Sequence, residues 1–159
     1  MTPRLNPYTA APELLKQFLH LSQQIYGSGL EKSLLNLVKI RASQINGCAN
    51  CLNMHTAEAH WIGETDQRLH LIAAWHEAPV FSDRERAALR WTDHITLLPQ
   101  SRDDEGAYAE LDAQFTKEEQ AQLTMMINNI NAWNRLAVGF KLFDPTLGWD
   151  REQRVRAAV

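Results

Sequence analysis

The stretch Leu37–His55, LVKIRASQINGCANCLNMH, decides how the chain is read. Its first part continues a helical pattern that starts near Leu30, with Leu30, Leu34, Leu37, Val38 and Ile45 on one apolar side. Asn46-Gly47 breaks that helix, and another begins near Cys48 and stops by Gly63. On a helix advancing about 100° per residue, Cys48, Cys51, Leu52, His55, Ala59 and Ile62 fall within an arc of about 100°. Two thiols and an imidazole thus share an otherwise apolar stripe, which faces the interior or a cleft.

The helical pattern extends outward from this motif. Pro12 suits a first helical turn, and Leu14, Leu15, Phe18, Leu21, Ser22 and Ile25 follow at helical spacing until Gly27-Ser28-Gly29. Downstream, Thr65 or Asp66 can cap a short helix through Trp75, and Pro79 closes the first half. Ser82 with Glu85 has the form of a capping box, opening a helix that carries Leu89, Trp91, Ile95 and Leu98. Pro99 to Asp104 is a polar linker. Thr116 with Glu119 makes a second capping box, opening a long helix through about Leu142, and the segment after Asp144-Pro145 fits no pattern. No stretch alternates with the period of a strand. The expected fold is all-α, a helix bundle in one domain, 1–159, with its core motif at 36–62 and the cysteine pair at the start of a central helix.

The whole chain of 159 residues is 45% hydrophobic and 22% charged, with a formal charge of −3. No basic run marks a nucleic-acid face, and no apolar run approaches the roughly 18 residues of a spanning helix. The opening Met1–Pro7 lacks the apolar core of a signal peptide, which leads to the expectation of a cytoplasmic protein with reduced thiols. In that setting a pair of cysteines three apart reads as catalytic or metal-binding rather than as a staple.

A thiol reacts as its thiolate, and a free cysteine with pKa near ~8.5 is mostly protonated at neutral pH. His55 stands one turn from Cys51 and can take its proton, while Cys48 sits at the helix start, where unpaired N–H groups favour an anion. The dipole therefore favours Cys48 as the attacking thiol and the histidine favours Cys51. Attack on a peroxide O–O bond would give a sulfenic acid, which the second thiol would condense to a disulfide. Thiol exchange with an external reductant would restore the pair.

The run from Leu37 to His55 closely resembles the core motif of the alkylhydroperoxidase D and carboxymuconolactone decarboxylase superfamily: the SQINGC segment, the cysteine pair and the histidine four residues on all coincide. The resemblance continues more loosely through Gly63, Arg68, Trp75 and Glu85–Leu89, about the first two-thirds of the chain. It implies an all-helical fold, assembly as a trimer or hexamer, and peroxidase activity with Cys51 attacking, Cys48 resolving and His55 in the proton relay. Members usually carry a relay glutamate twelve residues before the first cysteine, where this chain has Asn36, and a His or Tyr where it has Asn50. Asparagine accepts no proton. Asp93, or less favourably Glu85, is the expected substitute that orients His55.

The leading function is thus a peroxidase acting on hydrogen peroxide or organic hydroperoxides, with a small thiol or a protein disulfide reductase as partner. Its rivals are a lactone-acid decarboxylase, which needs no cysteine pair, and a non-catalytic thiol redox sensor. No flavin, haem or nucleotide motif is present, so no tightly bound cofactor is expected. A zinc site built on Cys48, Cys51 and His55 would need His60 or His94 as a fourth ligand. His20, His70 and His76 read as surface or core-edge residues, and Arg41 as a salt-bridge partner. Trp61, Trp75, Trp91 and Trp133 read as core or subunit-contact anchors. Asn128, Asn129, Asn131 and Asn134, unusual together in one helix, read as polar contacts to a neighbouring helix or subunit.

Overall fold

The computed structural model describes residues 2–102 and 105–148; the end of the Pro99–Asp104 linker and the last residues of the chain lie outside them. Among these described residues eight α-helices follow in order: α1 Pro7–Ala10, α2 Pro12–Tyr26, α3 Lys32–Ile45, α4 Ala49–Trp61, α5 Asp66–Leu71, α6 Asp83–Thr96, α7 Glu105–Gln114 and α8 Lys117–Phe140. Short 3-10 turns cover Ile72–Ala74 and Pro145–Leu147, and no strand occurs among the described residues. Both predicted capping boxes form. Ser82 and Thr116 each accept from the backbone of the glutamate three residues on, at 3.3 Å, and each glutamate accepts back at 2.8 Å. Two α-helices escaped the sequence reading: the single turn of α1, and α7, which carries only two buried side chains, Ala107 and Leu111.

Helix α3 is central. Seven consecutive residues, Leu34 to Ile40, are buried, so the helix is enclosed on every side rather than along one stripe. It packs on α4, α6 and α8. Leu34, Leu35 and Val38 join Leu123 and Ile127 of α8, while Leu37 and Ile40 meet Ile72, Trp75 and Leu89 on the other side.

The end of α3 sets the position of the cysteines. Gly47 takes a left-handed backbone with φ 63°. Its N–H bonds to Gln44 O at 3.3 Å and the N–H of Cys48 to Ser43 O at 2.9 Å, a Schellman closure. Cys48 at once becomes the N-cap of α4, its Sγ accepting from Cys51 N at 3.3 Å. One residue closes a helix and opens the next.

The amides of α8 lock this corner, as polar contacts with neighbouring helices. Asn46 Nδ2 donates to Asn131 Oδ1 at 2.8 Å and Asn134 Oδ1 at 2.9 Å, and Asn134 Nδ2 donates to Ser43 Oγ at 3.0 Å. Asn129 Nδ2 donates to Ser22 Oγ of α2 at 2.9 Å. Asn128 is exposed.

At Gly47 an added Cβ would meet nothing within 4 Å, so only the left-handed backbone resists substitution. Gly47→Ala is expected to cost about 1 kcal/mol in urea unfolding, and Gly47→Asn less, because Asn tolerates that conformation. Equal costs for both would refute the backbone explanation.

Candidate functional site

Cys48 and Cys51 are joined as a disulfide, with Cα atoms 5.4 Å apart. Both are buried, as is His55. They differ in what they face. Cys51 and His55 border a cavity of about 320 Å³, whereas Cys48 is enclosed with Ala42, Ile130 and Ala137. Cavity walls come from Ser22 and Tyr26 of α2, Met126, Ile130 and Trp133 of α8, and Leu142 and Leu147 beyond α8. Trp133, read from the sequence as a core or contact anchor, is also a wall of this cavity; its indole stacks on Phe18 at 4.5 Å and donates to Ser22 Oγ at 3.0 Å. Asn50, between the cysteines, accepts from Asp144 N at 2.8 Å and so holds the segment that carries Leu147.

The expected partner of His55 needs correction. Asp93 grips Arg41 in a bidentate pair at 2.5 and 2.9 Å and accepts from Trp75 Nε1 at 3.1 Å, on the far side of α3 from His55. A guanidinium fork matches a carboxylate better than one imidazole nitrogen can, so Arg41 captures it. Glu85 is likewise occupied, by Arg68 at 2.5 Å and by its own cap.

The carboxylate at His55 is Glu58, one turn on along α4. Its Oε2 lies 2.8 Å from His55 Nδ1 and 2.9 Å from Lys39 Nζ. Lys39 is buried and lies 4.8 Å from the centre of the Tyr26 ring. Burial alone would raise the Glu58 carboxyl, but the hydrogen bond and charge of His55 and the charge of Lys39 prevail, and its pKa falls to about 2. Burial, then the Lys39 charge, lowers His55 below its ordinary 6.5 against the pull of Glu58. Burial also lowers Lys39, with Glu58 opposing. Tyr26 is raised, by burial first and then by the Glu58 charge. At neutral pH the site holds an ionised Glu58, a charged Lys39 and an uncharged imidazole.

Neither Lys39 nor Glu58 was singled out from the sequence, though both left a trace. Glu58 stands three residues from His55 on one helix, a spacing that brings side chains together. Lys39 is a lone cation inside the apolar run Leu37–Ile40. Asn36, in the place of the usual relay glutamate, is 1% exposed, and neither side-chain amide atom has a hydrogen-bond partner. His60 lies 2.8 Å from Asp66 and His94 stacks on Trp91, so neither joins the cysteines. Among the described residues no group of three or more His, Cys, Asp or Glu is arranged to hold a metal ion. No described helix is long and apolar enough to cross a membrane.

The depressed Glu58 and His55 values make stability depend on acid. Folded Glu58 stays charged where the unfolded carboxyl, ordinarily at 4.5, takes a proton. Its contribution is therefore complete above about pH 4.5 and is lost as pH falls toward 2, on the order of 3 kcal/mol in all. His55 adds to that loss, because the unfolded imidazole binds a proton below 6.5 and the folded one resists. In Glu58→Gln the urea midpoint should fall less steeply between pH 4.5 and 2 than in wild type; parallel curves would show that Glu58 is not held this way.

Comparison with known proteins agrees with this architecture. The model of the carboxymuconolactone decarboxylase family matches residues 12–94. The uncharacterized protein YdfG of Bacillus subtilis (strain 168) is 38% identical over 138 residues, spanning 87% of this chain and 94% of that protein. A solved structure from Agrobacterium tumefaciens, of unknown function and described as a candidate antioxidant defence protein AhpD, is 39% identical with a TM-score of 0.87; the match covers 90% of this chain and 99% of that one. An uncharacterized peroxidase-related protein from Silicibacter sp. TM1040 is 21% identical with a TM-score of 0.74, over 86% of this chain and 72% of that one, a likeness of fold. With an AhpD-like all-α fold and a family match across more than half its length, the chain belongs to the carboxymuconolactone decarboxylase family.

Proposed function

We propose that the protein is a cysteine-dependent peroxidase that reduces hydrogen peroxide or organic hydroperoxides through a Cys48–Cys51 disulfide cycle. The observation that carries this reading is the unequal placement of the two sulfurs. Cys51 meets the cavity beside His55, whereas Cys48 is held at the helix cap. His55 takes the Cys51 proton, and the thiolate attacks the distal peroxide oxygen. The O–O bond breaks, Cys51 becomes a sulfenic acid, and the imidazolium protonates the departing alkoxide to an alcohol, or hydroxide to water. Cys48 then attacks the Cys51 sulfur, the S–S bond forms and water leaves. A thiol reductant, small or protein, returns two electrons and two protons by exchange. A reducing cytoplasm and the homo-oligomer implied by the sequence resemblance belong to the same reading.

The test uses reduced protein and one equivalent of hydrogen peroxide or cumene hydroperoxide, followed by thiol count and intact mass. Both thiols should disappear with the loss of two hydrogens, reversibly with dithiol, and faster than for a free thiol. Cys48→Ser should stop one oxygen heavier, and Cys51→Ser should not turn over. Inert thiols in wild type, or peroxide turnover by Cys51→Ser, would overturn the reading and direct attention to lactone-acid decarboxylation, which needs neither sulfur.

A further inference from the structure

The Lys39–Glu58–His55 chain goes beyond the cysteine cycle, and its bearing on catalysis rests on the reading of Cys51 as the attacking thiol. Glu58 Oε2 faces His55 Nδ1 at 2.8 Å. An ionised carboxylate only accepts hydrogen bonds, so Nδ1 must carry the proton. In the uncharged ring Nε2 is then the bare nitrogen, on a side chain that shares the cavity with Cys51. Lys39 donates to the same Oε2 from α3. We propose that Glu58 and Lys39 are the positioning residues of this site: Glu58 fixes His55 in the Nδ1–H form with Nε2 free to take the Cys51 proton, and Lys39 holds the Glu58 carboxylate in place.

The arrangement supplies from within α4 the carboxylate that Asn36 cannot provide from α3. The charged and titratable groups around it are few. Tyr26 of α2 faces Lys39, and Lys32 lies over the same ring at 5.6 Å. Helix α8 contributes only uncharged side chains to the cavity, and α4 itself adds Cys51. The two positioning residues act on His55 with opposite sign. Glu58 favours the imidazolium by hydrogen bond and charge, and Lys39 disfavours it by charge. A proton moved from Cys51 to Nε2 makes an imidazolium that Glu58 stabilises, while Lys39 keeps the resting ring neutral and ready to accept.

Nitrogen-15 NMR of the reduced protein tests the tautomer directly. At pH above the His55 transition the spectrum should show a protonated Nδ1 and a bare Nε2. The His55 titration should move down in Glu58→Gln and up in Lys39→Met, whereas loss of packing alone gives no such opposition. In a Cys48→Ser background, where serine keeps the helix cap, Glu58→Gln should slow iodoacetamide alkylation of Cys51 at pH 7 about tenfold, one pKa unit in thiolate population. A wild-type ring protonated at Nε2, or a His55 titration shifted the same way or not at all by both variants, would overturn the proposal. The wild-type spectrum decides even if a variant fails to fold. A protein that meets these expectations but leaves peroxide untouched keeps the relay and loses the peroxidase reading; a peroxidase with the wrong tautomer does the reverse.

Discussion

The left-handed turn at Gly47 is the constraint from which the site follows. It lets α3 close by a Schellman motif whose last donor is the backbone of Cys48, and the same residue then caps α4 through its sulfur. A cap side chain is fixed by the N–H it accepts, so the Cys48 sulfur is held at the helix end, where unpaired amides favour negative charge. Cys51, in the first turn, is turned toward the cavity. The two thiols are three residues apart and chemically similar, but the corner gives them different neighbours. Asn46, beside that turn, ties it to Asn131 and Asn134 of α8, the helix that also supplies part of the cavity wall.

Around this corner Lys39 and His55 border the apolar cavity, and both bond to one oxygen of Glu58. Glu58 Oε2 receives both Lys39 and His55, and with the imidazole uncharged the charges of Lys39 and Glu58 cancel. A buried ion pair loses hydration, and here the cost is offset by two hydrogen bonds and by the Tyr26 ring under the ammonium. Asn36, one turn of α3 before Lys39, is neutral and without partners. A carboxylate in its place would add a second negative charge to a site where Glu58 is already paired with Lys39.

Much of this was legible in the sequence, and what was not has identifiable causes. Helical spacing, the Asn46-Gly47 break and both capping boxes depend on local chemistry, and they predicted α2 to α6 and α8 to within a few residues. Helix α7 was missed because its short apolar face leaves little periodic signal between the polar linker and Thr116. Cys48, Cys51 and His55 could be grouped because they lie on one helix. Glu58 lies on it too, but the family resemblance points to another helix, where related sequences often show a carboxylate at the place of Asp93. Which acid meets His55 depends on which cation takes Asp93 first. Arg41 was read as a salt-bridge partner, but its partner is a tertiary fact, settled by α3 facing α6 with its Arg41 side and α4 with its Lys39 side.

The residues of the site and of the cavity wall are unevenly distributed along the chain. Lys39, Cys48, Cys51, His55 and Glu58 all fall within residues 12–94, the part that matches the family model. Much of the wall opposite Cys51 falls after it: Met126, Ile130 and Trp133 on α8, then Leu142 and Leu147 on the segment that Asn50 holds. Of these, Ile130, Trp133 and Leu142 also pack with the cluster that encloses the two sulfurs, whereas Met126 and Leu147 border the cavity outside it. The hydrogen bonds from Asn129 and Trp133 to Ser22 join α8 to α2 along that wall. On the proposed reading, the motif points to a reaction and not to a substrate because much of the cavity wall comes from α2, from α8 and from the segment after α8, outside the motif.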